Sequence, residues 1–265
     1  MVWGLFLLLG CCLVLLVLIG TAVMAHLLTH PPRYTVGTAI ARGAPTSPRE
    51  AGFEYESHGL GLPDGLELAL WLVEGRDAQG PVIVMLHGWG EGRIAMLRWL
   101  DVLAPIASRL VLFDLRGHGE NQSKTFRWGL RETGDVEAVV QWLHAGNMKE
   151  IALFGVSIGG NIASRAALRM GARVFCVVRY GPLGSPLEFT TSYLRSRRIP
   201  AWPVARLVSV GLRVCGRIPW RDNLFTKPHI PAPPILSFNP RVVSHEEVVR
   251  QFILESRKKA RSTGM

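Results

Sequence analysis

One stretch, Ile151-Ala152-Leu153-Phe154-Gly155-Val156-Ser157-Ile158-Gly159-Gly160, constrains the fold of this chain more than any other. The charge-free run Ile151–Phe154 reads as a buried strand, and the apolar spacing from Gly160 to Met170 reads as a helix. The chain must reverse abruptly between them. Gly155 and Gly159 are needed there because strand and helix close on each other with no room for side chains. A serine on such a turn holds its hydroxyl out of the sheet, beside a helix N-terminus whose field favours developing negative charge. Ser157 is therefore the candidate nucleophile.

The neighbouring segments repeat the strand-then-helix alternation. Val82–Leu86, Leu110–Phe113 and Arg173–Val178 read as further buried strands, and Ile94–Ala107 and Leu130–His144 as helices. A hairpin is expected over Gly52–Glu74, turning at Pro63-Asp64-Gly65. Near-continuous apolar strands separated by amphipathic helices imply α/β architecture, a doubly wound and mostly parallel sheet covered on both faces. A last strand over Pro234–Phe238 and a last helix over Glu246–Lys259 complete the pattern.

Two more segments lie where chemistry is expected. His87-Gly88-Trp89-Gly90 follows the Val82–Leu86 strand, where a loop can offer a backbone N–H to an oxyanion. Trp89 is the expected first donor and Ile158 the second, while His87 is expected to fix the loop. Asp114-Leu115-Arg116-Gly117-His118-Gly119 follows Leu110–Phe113, with Asp114 and Arg116 expected to brace a sharp turn.

Taken in order, HGWG, DLRGHG and GVSIGG resemble the α/β-hydrolase fold family, in particular its lipase, monoacylglycerol-lipase and serine-aminopeptidase-like branch. The resemblance covers roughly Gly52 to Val249. It implies a serine nucleophile activated by a histidine, an acid orienting that histidine, an acyl-enzyme, and a cap after the sixth strand, where Gly181–Pro228 stands. The chemistry asks for the same parts. A serine hydroxyl is a weak nucleophile at neutral pH, and the base that takes its proton needs a partner to hold its tautomer.

The chain departs from the family at those partners. Where the family carries its acid, this sequence reads Ser237-Phe238-Asn239-Pro240-Arg241-Val242-Val243, with Arg241 near the expected aspartate, and almost no chain remains for the histidine loop. His245, flanked by Glu246, is the candidate base, with His229 behind it; Glu188 is the candidate acid. Two readings stand. The first is a membrane-tethered serine hydrolase cleaving an ester or amide; the second is a catalytically degenerate relative that binds a ligand, lipid surface or partner.

The N-terminal end sets the setting. No residue from Val2 to Leu28 carries a formal charge, which predicts a transmembrane or signal-anchor helix over residues 1–30. A cleaved signal peptide is the alternative, with Ala22 and Ala25 as its small residues, although no Lys or Arg precedes the apolar run. Arg33, Arg42 and Arg49 follow it, so the positive-inside bias puts the domain on the cytoplasmic side of a single-pass protein. Residues 31–51 read as a Pro- and Gly-rich linker, 52–258 as the hydrolase domain with cap 181–228, and 259–265 as a basic tail.

The net charge is +10, and Gly181–Pro228 holds eight basic residues against Glu188 and Asp222. In a chain already held near lipid, that charge points to anionic headgroups, with the amphipathic stretch Pro203–Ile218 either covering the site or resting on the surface. Nucleic acid is not expected, since no reader module or aromatic interleaving accompanies the arginines. No metal ligand set and no cofactor are expected, and Cys176 and Cys215 read as buried small side chains. The expected substrate is a small-molecule or lipid-like acyl compound.

Overall fold

The computed structural model describes residues 2–181, 185–215, 234–238 and 245–263. Seven strands form one sheet: β1 (Tyr55–Gly61), β2 (Glu67–Glu74), β3 (Val82–Leu86), β4 (Arg109–Phe113), β5 (Ile151–Val156), β6 (Cys176–Tyr180) and β7 (Ile235–Phe238). Their order is β1-β2-β4-β3-β5-β6-β7. β1 and β2 pair antiparallel, as do β2 and β4, and the remaining neighbours are parallel. This is the doubly wound, mostly parallel sheet that the alternation implies.

Among the described residues eight α-helices accompany it: α1 (Val2–Thr29), α2 (Val36–Ala41), α3 (Leu100–Leu103), α4 (Glu132–Ala145), α5 (Ile158–Met170), α6 (Pro186–Ser196), α7 (Val204–Val214) and α8 (His245–Thr263). The period of two along each strand divides the core into two layers. Val82, Val84 and Leu86 face α4 and α5, through Val136, Val140, Ile162 and Ala166. Ile83 and Met85 face the other side, where α3 and α8 supply Leu100, Leu103, Val249 and Ile253. Every β3 side chain is thus buried on one face or the other, which explains why the strand reads as an unbroken apolar run.

Several expectations are corrected. Ile94–Ala107 is not one helix: a 3₁₀ helix over Arg93–Trp99 precedes the four-residue α3, which gives way to a 3₁₀ turn at Ala104–Ile106 where Pro105 lacks the N–H to continue it. Residues 31–51 contain α2, and Arg33 donates to the carbonyls of Asn121 and Ser123 at 2.8 and 2.7 Å. α8 continues to Thr263, held by Arg257 and Arg261 on the Glu150 carboxylate. Cys176 is buried, but Cys215 is exposed at the end of α7.

Candidate active site

Ser157 sits between β5 and α5 with φ of +53° and ψ of −119°, a conformation that side-chain-bearing residues rarely adopt. The surrounding packing enforces it. A Cβ on Gly155 would lie 2.4 Å from the Gly159 carbonyl carbon and the Gly160 nitrogen, and one on Gly159 would lie 2.5 Å from the Leu86 and His87 oxygens. The two glycines therefore press the serine turn against its own helix and against the end of β3. Ser157 remains half-buried, and its hydroxyl makes no hydrogen bond among the described residues.

The His87–Gly90 loop lies directly beside it: a Cβ on Gly88 would be 3.5 Å from the Ser157 Cβ. Among the described residues, neither the Trp89 nor the Ile158 backbone N–H has a hydrogen-bond acceptor. Two adjacent donors left unspent beside a protruding hydroxyl can together hold a developing oxyanion.

His87 has the bracing position its place in the loop suggests. Its Nε2 accepts the Leu115 N–H at 2.9 Å and its Nδ1 donates to the Gly88 carbonyl at 2.8 Å, which fixes the tautomer and links the two motifs. Burial pushes its pKa down, and that of His118, whose Nδ1 lies 2.9 Å from the Arg116 carbonyl, further still. Both are held neutral. The unfolded chain binds the protons that the native one refuses, so stability falls as pH drops below the ordinary histidine value of about 6.5. We expect the melting temperature to decline from pH 7 towards pH 5.5, with a shallower slope in His118→Gln by calorimetry; an unchanged slope would contradict this origin.

Asp114 accepts the Arg93 N–H at 2.6 Å and the Glu120 N–H at 3.1 Å, closing the second turn on itself. Arg116 makes a forked contact to Asp135 of α4, at 2.7 and 2.8 Å, and also pairs with Asp64 of the β1–β2 turn. Its guanidinium is held firmly charged by those two carboxylates. Asp114 and Arg116 are braces, and neither Asp135 nor Asp64 is free to orient a histidine.

Of the candidate base and acid, only the side chain of Glu188 lies among the described residues, and it is not brought to Ser157. Glu188 is exposed on α6, where its carboxylate accepts the Ser185 N–H at 3.1 Å in a capping box. His245 is the first residue of α8. His229 and Arg241 lie outside the described residues, as does part of the expected cap.

Two features escape sequence reasoning. Glu91 accepts the Gly88 N–H at 2.9 Å while pairing with Arg98 at 2.9 Å, so a carboxylate holds the donor loop from behind. The signal was its position one residue after HGWG. Glu91→Ala is expected to lower turnover about 10–100-fold, by letting the Trp89 donor drift, with little change in melting temperature; unchanged turnover would remove Glu91 from this role. The second feature is a run of aromatic rings. The Trp128 indole donates to the Leu28 carbonyl of α1 at 3.2 Å and packs on Phe189 of α6, whose ring in turn lies 5.1 Å from that of Trp89. The end of α1 is thereby connected through the cap to the donor loop.

A model of the alpha/beta hydrolase family matches residues 83–257. Among solved structures, an esterase of Pyrococcus furiosus superposes with a TM-score of 0.61 at 21% identity, covering 88% of this chain and 98% of that one. Curated relatives include protein phosphatase methylesterase 1 of Mus musculus, 38% identical over 96 residues, which are 34% of this chain and 24% of the mouse protein. The (lyso)-N-acylphosphatidylethanolamine lipase of Homo sapiens is 29% identical over 153 residues, 54% of this chain and 43% of the lipase. The chain thus spans less than half the length of these curated relatives.

Proposed function

This chain belongs to the alpha/beta hydrolase family, and on that premise we propose that it is a membrane-tethered serine hydrolase acting through Ser157. The observation that carries the reading is the half-buried Ser157 hydroxyl beside the unspent N–H groups of Trp89 and Ile158. In this reading Ser157 Oγ attacks the acyl carbonyl of an ester or amide while a base takes its proton. The carbonyl oxygen, now negative, is held by the two N–H groups. The base returns the proton to the departing alcohol or amine, and water then releases the acid from the acyl-enzyme.

His245 is the proposed base. β7 runs parallel to β6, and β6 to β5, so the chain leaves β7 at the edge where Ser157 stands, seven residues before His245. The orienting acid is left unassigned, because Glu188 is engaged in capping. The proposed substrate is lipid-like, supported by the apolar N-terminal helix and by the similarity to a lipase and to a probable 1-acylglycerol-3-phosphate O-acyltransferase of Oryza sativa, 28% identical over 127 residues, 46% of this chain and 30% of that protein.

α1 is long and apolar enough to cross a membrane, with an 18-residue window inside Trp3–Thr29 at a mean hydropathy of 2.9. We read it as the anchor, with the domain on the cytoplasmic side, following Arg33, Arg42 and Arg49. A second reading, a binding protein without turnover, is favoured by the commitment of His87 and His118 to loop carbonyls. The two are separated by incubating the full chain, reconstituted in lipid nanodiscs, with p-nitrophenyl acyl esters of increasing chain length. Release of p-nitrophenol that depends on Ser157 supports the hydrolase; a folded chain that releases none supports the binder.

A further inference from the structure

An ordinary surface helix buries one apolar face and wets the other, at about 100° of turn per residue. α7 does not follow this pattern. Ala205, Val208, Ser209 and Leu212 are buried on one side, whereas Leu207, Val210 and Val214 form a second apolar stripe on the opposite side. That second stripe is 40%, 53% and 67% exposed, and Trp202 just before the helix is 74% exposed. Arg206 and Arg213 follow one flank between the two faces.

α7 packs against both α1 and α6. The covered positions of α1 before its last residue, the buried Thr29, are Val17, Gly20, Thr21, Met24, Ala25 and Leu28, which share one face at helical spacing. A helix needs about 20 residues to cross roughly 30 Å of hydrocarbon. Counted from Trp3, such a span reaches at least Ala22, so Val17, Gly20 and Thr21 fall at hydrocarbon depth. Thr21 already satisfies its hydroxyl on the Val17 carbonyl, at 2.7 Å. α7 shares its buried cluster with Met24 and Leu28, at the end of that span, so its outer side meets the boundary of the bilayer.

We propose that the outward stripe of α7, Leu207, Val210 and Val214, is a lipid-contact surface continuous with α1, which lays the cap on the bilayer. The occupant is lipid rather than a second protein because the stripe adjoins an apolar helix with the same exposure and because cations border it. Arg206 on the flank of α7, and Arg195, Arg197 and Arg198 at the exposed end of α6, stand where stems can lie in the interface while guanidinium groups reach anionic headgroups. α6 also carries Phe189, which packs on Trp89 of the donor loop, so the same cap reaches the Ser157 site. This rests on the reading that α1 enters the bilayer.

The test uses the full chain in vesicles of phosphatidylcholine with phosphatidylserine, with Cys11, Cys12 and Cys215 replaced by alanine. One nitroxide is placed at Val210 (Val210→Cys), at Val14 on the exposed face of α1 (Val14→Cys), or at Lys149 on the far side of the domain (Lys149→Cys). Spin-label saturation by oxygen and by a water-soluble nickel chelate then reports the surroundings. The expected result is loss of nickel access, with oxygen access retained, at Val14 and at Val210, against full nickel access at Lys149. Nickel access at Val210 with none at Val14 would overturn the inference and leave the anchor standing. Nickel access at Val14 would remove the anchor itself, and the inference with it. Spin–spin broadening at Val210 that disappears on dilution with unlabelled chain would assign the stripe to a second copy and also overturn it. Because Val210 is half-exposed, its replacement leaves the packing of α7 intact, and an unchanged melting temperature checks this.

Discussion

Ser157→Ala is expected to lower ester turnover by about 10⁴-fold or more while leaving the fold and its melting temperature nearly unchanged. The large effect follows from the geometry. Removing one oxygen leaves both N–H donors in place, but no atom remains to form the acyl-enzyme. Whatever residual rate persists comes from the donors acting on water. The small effect on stability follows from the same geometry: the hydroxyl makes no hydrogen bond among the described residues, so its loss leaves no buried partner stranded. Alanine must still adopt the +53° φ of this position, a strain that serine already bears. Turnover and melting temperature measured on one preparation check both halves. An equal rate in wild type and variant would mean that the hydrolysis belongs elsewhere.

Gly155→Ala should do the reverse, removing the fold before the chemistry is reached. The added methyl would lie 2.4 Å from two backbone atoms of Gly159 and Gly160, far inside contact distance. Those atoms cannot turn aside as a flexible side chain would, because Gly159 is itself pressed against the Leu86 and His87 oxygens. The helix α5 would have to move off the centre of the sheet, opening the layer that Ile162 and Ala166 fill against Val84 and Leu153. Overpacking usually costs about 1–3 kcal/mol, and a backbone clash in an interior strand belongs above that range. A loss of about 4 kcal/mol or more is expected, read from the urea midpoint. A variant as stable as the wild type would show that strand and helix are further apart than described.

The parts of the molecule that were legible in the sequence are those whose signal is local. β3, β5 and their turns announce themselves because a buried parallel strand has no polar face to hide. Ser157, Gly155 and Gly159 stand together because the turn that exposes the serine forbids side chains beside it. His87, Asp114 and Arg116 were readable as braces from motif position alone, although their partners Leu115, Asp135 and Asp64 were not. Lead-in packing was hidden: Pro32 and Tyr34 lie in a Pro- and Gly-rich stretch that reads as slack, yet they press on Gly90 and Gly92 of the donor loop. The break at Pro105 was masked by the helical spacing of the leucines around it. A base and acid for Ser157 could not be read with the same clarity. Such pairs are assembled from distant segments, and here the segment that usually carries the acid has an arginine at the expected place.

The most direct measurement is to treat the full chain in nanodiscs with a fluorophosphonate, digest it and locate the phosphorylated residue by mass spectrometry. An activated serine displaces the fluoride, so the adduct should fall on the peptide containing Ser157 and vanish from the Ser157→Ala variant. A folded wild-type chain that stays unmodified at Ser157, or carries the adduct on another residue, would contradict the account.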